Sequence, residues 1–329
     1  MNDSNFVKQL KEYKLLLPPM AGYTDYPYRR ILALFDPPFI CTEMLSPHAI
    51  LQENPRTMGM LQKIEGNHLC GAQLVGEELK AMGDAACFVE GLGYEYIDIN
   101  MGCTVKTITG TGAGVSLMKD EAKAVKLALT IVEAVNIPVT CKIRLGPSKG
   151  NRNAVSLSRR LEDVGVTAIT VHGRTGERKF GLPVNYEEIR EVVDACNIPL
   201  IANGGIYTGS DAIDMFQRTG ADAVMPGRGL IGNPWLVKEI LSVSNGVHYT
   251  TPGLEERKRI CLLHVRYLCE FYGEPKGVIM MKRILPKYFS GCRYLKSMKV
   301  EVFSAKEQEE FERLLDNIYE DESGMIYSA

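Results

Sequence analysis

A chain of 329 residues, 45% hydrophobic and 24% charged, has the composition of a folded globular protein and the length for one large barrel or two smaller domains. A net charge of -2 excludes a globally basic nucleic-acid binder, so any RNA surface must be a local patch. No apolar run reaches bilayer length, the stretch MNDSNFVKQLKEYK has no signal-peptide core, and the nine cysteines include no Cys-x-x-Cys pair. These features argue against a membrane protein and against zinc or iron–sulfur sites, and for reduced thiols in a cytoplasm.

One pattern recurs along the chain: a short apolar run, a turn, then a helix-like segment. The first run is Leu15–Ala21, closed by Gly22 and followed by a helix containing Tyr28 to Leu34. Phe39–Met44 is the second. The third, Leu69–Val75, precedes a helix over about Glu77–Glu90. The fourth, Tyr96–Asn100, alternates apolar Ile97 and Ile99 with polar Asp98 and Asn100, then turns at Gly102; its helix starts near Lys119. Pro138–Leu145, Ala168–His172 and Pro199–Asn203 are the fifth to seventh. Ala223–Met225 is the eighth, after a short helix at Asp211–Arg218.

Eight βα units predict a parallel sheet, and eight is the number that closes a TIM (β/α)8 barrel. A doubly wound open sheet is the alternative, but no Gly-x-Gly-x-x-Gly follows the first strand. Chemistry in a barrel sits at the C-terminal ends of the strands. That rule selects Met20, Gln73, Asn100 with Cys103, Lys142 with Arg144, His172, Asn203 and Arg228. After Trp235 the pattern changes. Ser242–Gly246 reads as a linker and Thr250–Gly253 as a helix start, and from Leu254 the reading is helical without strand alternation. The expected division is a barrel over residues 1–243 and a small all-α domain over residues 247–329. A solvated acidic helix is expected around Glu307 to Glu322.

Cys103 is the first side chain after the Gly102 turn. Leaving a strand end beside a glycine, it points into a pocket, which suits a reactive thiol; a small hydrophobe filling a loop is the plain alternative. Asn203-Gly204-Gly205 and Gly227-Arg228-Gly229 close the last two strands, where TIM barrels bind phosphate through backbone amides and a cation. A phosphorylated cofactor follows, with simple turn chemistry as the alternative. The loop Thr109–Gly114 lacks the Gly-Lys-Ser/Thr ending of a nucleotide P-loop and reads as a mobile substrate loop. Lys142 at the mouth suits a Schiff base, or positive charge for the N1–O2 edge of a reduced flavin. Arg144, two residues on, faces the same side. For Lys142 and His172 a satisfied polar ring at the rim is the alternative. Between Arg257 and Lys299 eleven lysines and arginines face only Glu270 and Glu274, with Tyr267, Tyr272, Tyr288, Phe289 and Tyr294 interleaved. That is a local RNA footprint, or a solvated helix face over aromatic core residues.

Seven segments, in order, give the chain a resemblance to the tRNA-dihydrouridine synthases. They are Pro19–Asp25, Gly71–Leu74, Ile97–Cys103, Lys142–Gly146, Thr170–Thr175, Ala202–Ile206, and Gly227-Arg228 leading to Gly232–Trp235. The resemblance implies an FMN enzyme with a TIM barrel and a helical C-terminal domain, reducing a uridine of tRNA with NADPH (or NADH) as reductant. Cys103 would protonate uracil C5 while reduced FMN gives hydride to C6. A thiol suits this task because it titrates not far above neutral pH. Pro19, Met20 and Ala21 would pack on the flavin, and Gln73 and Lys142 would bond its ring edge. Asn203, Gly204, Gly205, Gly227 and Arg228 would hold its phosphate. Asn100, Arg144 and His172 would face the uracil, with His172 also in reach of the flavin. No metal is implied, and a monomer is expected. The chain departs from the family pattern at Thr104, where proline is usual, at Pro226, and over Pro147–Arg152. Two other readings stay open: a flavin barrel for a free pyrimidine, of the dihydroorotate dehydrogenase type, and a non-catalytic RNA-binding barrel. The basic C-terminal segment speaks against the first; Cys103, Lys142 and the phosphate set speak against the second.

Overall fold

The computed structural model describes residues 3–177, 183–290, 293–294, 302–320 and 325–328. Seven parallel strands follow one another in sequence order around a curled sheet: β1 (Phe39–Leu45), β2 (Leu69–Leu74), β3 (Tyr96–Asn100), β4 (Val139–Arg144), β5 (Ala168–His172), β6 (Leu200–Asn203) and β7 (Ala223–Met225). The first expected strand is reduced to an extended segment, and it closes the ring. Leu15 bridges Val224 in parallel, and the Leu16 N–H donates to the Val224 carbonyl at 3.1 Å. On its other side the Leu17 N–H donates to the Phe39 carbonyl at 3.2 Å. Pro18 and Pro19 have no N–H to continue either ladder, so pairing stops there. The open doubly wound sheet is thereby ruled out.

The strands bury both faces, as parallel strands do. Toward the helices lie Ile97, Ile99, Cys141, Ile143, Ile169 and Val171, all in the main apolar cluster. Inside, the lower end of the barrel is filled by Phe39, Tyr96, Leu69, Ala168, Ile201 and Ala223, and sealed by Phe6 and Leu10 of the helix Asp3–Tyr13. The Phe6 ring meets Phe39 at 5.1 Å and Tyr96 at 5.3 Å. Gly71 makes room for the Tyr96 ring; a Cβ there would lie 2.0 Å from it.

The helices Leu254–Tyr272 and Glu274–Tyr288 pack against each other, and the first of them packs against the helix Tyr26–Ala33, which follows the first strand segment. The Tyr28 ring lies 5.0 Å from His264, and the Tyr272 hydroxyl donates to Asp25 at 3.1 Å. Leu254, Ile260, Val265, Leu268 and Met281 belong to the same apolar cluster as the sheet's outer face. Three expectations change. Ser242 to Ser244 belong to the helix Leu236–Ser244, so the connection is shorter than expected. The C-terminal region is helical but carries a small sheet, with β8 (Arg293–Tyr294), β9 (Ile318–Glu320) and β10 (Met325–Ser328) in the order β8-β10-β9. Strands of two to four residues are too short to register as alternation. Finally, the acidic helix Gln308–Asp316 is more than solvated: Phe311 and Leu315, four residues apart, share one fully buried face. Among the described residues no helix is long and apolar enough to cross a membrane.

Candidate active site

Two adjoining cavities open at the C-terminal ends of the strands and share Pro19, Lys142 and His172. Met20, Asn203, Gly204, Gly205, Gly227 and Arg228 line the first cavity; Ala21, Gln73, Asn100, Cys103 and Arg144 line the second. All the residues selected from the sequence thus meet in one cleft. Arg174, Tyr207 and Met44 line it too and were not singled out. Arg174 had a signal: it lies two residues beyond His172, just past the end of β5.

The first cavity is built for an anion. β6 ends at Asn203, and the chain turns through Gly204 and Gly205 at φ +125° and +73°, conformations that favour glycine. A Cβ at Gly227 would meet nothing closer than the Asn203 amide at 4.0 Å, so any side chain there would stand in the cavity. Asn203 is fixed on both sides: its Nδ2 donates to the Met225 carbonyl at 2.6 Å, and its Oδ1 accepts from Lys142 Nζ at 2.9 Å. With Arg174 and Arg228 alongside, bare backbone and cations suit a phosphate.

Burial pushes Lys142 down to about 8, with Arg144 adding to the effect and Asp98 opposing it. Burial also pulls His172 well below its ordinary value, helped by Lys142, Arg144, Arg174 and Arg228, so its ring is neutral at physiological pH. The Arg174 guanidinium faces His172 Nε2 at 3.1 Å. A guanidinium can only donate, so Nε2 accepts and the ring proton sits on Nδ1.

At the second cavity Cys103 is half-buried. Its backbone N–H donates to Asn100 Oδ1 at 2.9 Å, and its carbonyl accepts from the Val115 N–H at 2.9 Å. The second bond ties the residue that follows the glycine-rich loop, expected to be a mobile substrate loop, to the cysteine. Arg144 Nε donates to the Gly102 carbonyl at 2.7 Å and holds the same turn from the β4 side. Burial, then Arg174, pushes Arg144 down to about 10, while Cys103 acts in the opposite sense.

The basic C-terminal segment divides into two sets. Arg257 donates to the Pro252 and Tyr288 carbonyls at 3.1 and 2.7 Å. Lys258 is buried and donates to the Asp316 and Ile318 carbonyls, both at 2.9 Å. Arg259 pairs with Glu256, Arg266 with Glu312, and Lys282 donates to the Ala305 carbonyl. Arg257, Lys258, Arg266 and Lys282 hold the C-terminal region together, and Arg259 pairs within its own helix, which the sequence count of charges does not reveal. Lys276, Arg283 and Lys287 are exposed. The side chains of Arg293, Lys296 and Lys299 lie outside the described residues.

A closed ring of parallel βα units with an anion cradle and a thiol at the carboxyl ends of its strands defines a TIM-barrel-type enzyme. The chain belongs to the dihydrouridine synthase (Dus) family, whose sequence profile matches residues 16–322, and it is an oxidoreductase of that family. It is 35% identical to a probable tRNA-dihydrouridine synthase of Rickettsia conorii, over 84% of this chain and 84% of that protein. It is 34% identical to tRNA-dihydrouridine synthase B of Pasteurella multocida, over 87% of this chain and 86% of that one. Among solved structures, histamine dehydrogenase from Rhizobium sp. 4-9 superposes with a TM-score of 0.53 at 13% identity, over 77% of this chain and 49% of that one. That is a likeness of fold alone.

Proposed function

We propose that this protein reduces the C5–C6 double bond of a uridine in tRNA to 5,6-dihydrouridine, using FMN and NADPH (or NADH). The observation that carries the reading is the single cleft with an anion cradle at one end and Cys103 at the other, in a chain of this family. Asn203, Gly204, Gly205, Gly227 and Arg228 would hold the FMN phosphate. Pro19, Met20 and Ala21 would pack on its ring, and Gln73 and Lys142 would meet its polar edge, with His172 within reach. Bound there, FMN would supply the hydride-transfer chemistry that reduction of uracil C6 requires. Cys103 donates the proton to C5. Asn100 and Arg144 orient the base, and both already clamp the Gly102–Cys103 turn. Neutral His172 can donate from Nδ1 to a uracil carbonyl without adding charge.

The uridine must leave its stack to reach this depth, which needs contacts to the RNA backbone elsewhere. We assign those to residues 247–329, as a tRNA-binding domain on a barrel of residues 1–243, with Lys276, Arg283 and Lys287 on the contacting face. The protein is expected to act as a cytoplasmic monomer. The test is incubation with NADPH and tRNA lacking dihydrouridine, with Cys103→Ala in parallel. Product from the parent and little from the variant is expected. Product from both would remove Cys103 as the acid. No product from a folded, flavin-loaded parent would overturn the reading in favour of a free pyrimidine or another RNA.

A further inference from the structure

Between the apolar floor of the barrel and the cleft lies a polar layer whose lower members, Asp98 and Thr140, have none of these roles. β2, β3 and β4 place Gln73, Asp98 and Thr140 side by side in register. All three are buried, Asp98 to 4% exposure. Interior positions of such barrels are dominated by branched apolar residues, and a buried carboxylate is costly unless it is hydrogen-bonded. Asp98 accepts from the Thr140 hydroxyl and from Gln73 Nε2, both at 2.6 Å. The chain of bonds continues upward. Asn100 Nδ2 donates to Gln73 Oε1 at 2.8 Å, and Asn100 Oδ1 accepts the N–H groups of Gly102 at 3.2 Å and Cys103 at 2.9 Å.

The polarity of this chain is fixed from both ends. A backbone N–H can only donate, so Asn100 must turn its oxygen to Cys103 and its NH2 to Gln73. An ionised carboxylate can only accept, so Gln73 must turn its NH2 to Asp98 and its oxygen to Asn100. The two demands agree, and every amide has one permitted orientation. Burial raises Asp98 to about 6, against the opposing pull of Thr140, Gln73 and Lys142, so near pH 8 it is ionised.

We infer that Asp98 is a positioning residue which, acting through Gln73 and Asn100, fixes the Gly102–Cys103 turn and hence the place of the Cys103 thiol in the cleft. Its effect on turnover rests on the reading of Cys103 as the proton donor. The placement of the thiol can be measured without turnover.

Asparagine at 98 keeps an oxygen for Gln73 and can turn its NH2 to the Thr140 hydroxyl, which accepts as well as donates. Leucine removes the acceptor. The Gln73 NH2 is then buried without its acceptor, so the Gln73 amide is drawn out of line and Asn100 loses the oxygen that holds its own NH2. The experiment measures alkylation of Cys103 by iodoacetamide near pH 8 in the full-length, flavin-loaded protein, by peptide mass spectrometry. Exposed Cys87, on the outer helix Leu79–Gly91, is the internal control. Asp98→Leu is expected to change the Cys103 rate at least fivefold and leave Cys87 unchanged, while Asp98→Asn stays within twofold of the parent. Asp98→Leu added to Asn100→Ala should bring no further change, because Asp98 reaches the turn only through Asn100. Dihydrouridine formation should fall with Asp98→Leu and return with Asp98→Asn. If Asp98→Leu does not fold, Asp98→Ala removes the same acceptor without adding bulk. A parent-like Cys103 rate in either folded variant, or independent effects in the double variant, overturns the inference. A parent that makes no dihydrouridine would sink the functional reading and leave the alkylation comparison standing.

Discussion

Gly114 offers a way to move the thiol without touching it. This residue has φ +60°, and an added Cβ would lie 2.7 Å from the Cys103 carbonyl oxygen and 3.1 Å from the Cys103 Cβ. Ordinary contact begins at 3.4 Å, so the carbonyl falls about 0.7 Å short and the Cys103 backbone must retreat. The retreat also stretches the bond from the Val115 N–H to that carbonyl, now 2.9 Å. Gly114→Ala should cost about 1–2 kcal/mol of stability from the left-handed backbone alone. Misplacement of a catalytic group by about 1 Å can cost roughly 100-fold in rate, so a fall of about tenfold to 100-fold is expected here. The assay is single-turnover dihydrouridine formation from pre-reduced, flavin-loaded enzyme, with flavin content measured on the same sample. Flavin content should hold, because Gly114 lies outside the anion cradle. Gly112→Ala is the control. It also has positive φ, at +96° farther from the left-handed helical region than Gly114, but its Cβ would meet only Glu77, at an ordinary 3.7 Å. A Gly114→Ala enzyme that folds and turns over within twofold of the parent would refute the reasoning, as would an equal loss in Gly112→Ala.

Other outcomes follow from the same geometry. Gly227→Val should lose FMN, since the new side chain would stand in the cavity; retention of flavin at parental affinity would remove Gly227 from the cradle. Lys142, pushed down to about 8, is charged below that pH and neutral above it, so FMN affinity should decline as pH rises through about 8. Lys142→Met should flatten that decline, which titration of apoprotein with FMN at several pH values will reveal. The fold releases this proton below the ordinary lysine range, so the Lys142 contribution to stability rises with pH from about 8 toward 10.5. Lys258→Met should lower the melting temperature and leave the salt slope of tRNA binding intact, because this lysine is buried on the Asp316 and Ile318 carbonyls. Arg283→Ala should do the reverse, lowering the slope of log K against log salt by about 1.

The repeating strand–turn–helix pattern gave the barrel from local information alone. Each strand is a short apolar run, and each glycine turn closes one. Position at a strand end then selected the residues that meet in the cleft, because a parallel βα fold places every such end on one face. Cys103, Lys142, Asn203 and Arg228 were therefore legible without coordinates. Other features depend on partners far along the chain, and no window of sequence contains both halves of such a pair. Leu15 to Leu17 count as the closing strand only because Val224 and Phe39 lie on either side. Asp98 looked like one polar step in an alternating strand until register set it between Gln73 and Thr140. His172 is neutral because burial and four cations, two on β4 and one each beyond β5 and β7, act on it together. Lys258 and Arg283 are both basic residues in one stretch, yet one braces the C-terminal region and the other faces solvent. Residue type and period are properties of the chain; burial, register and the direction of each hydrogen bond belong to the packed structure.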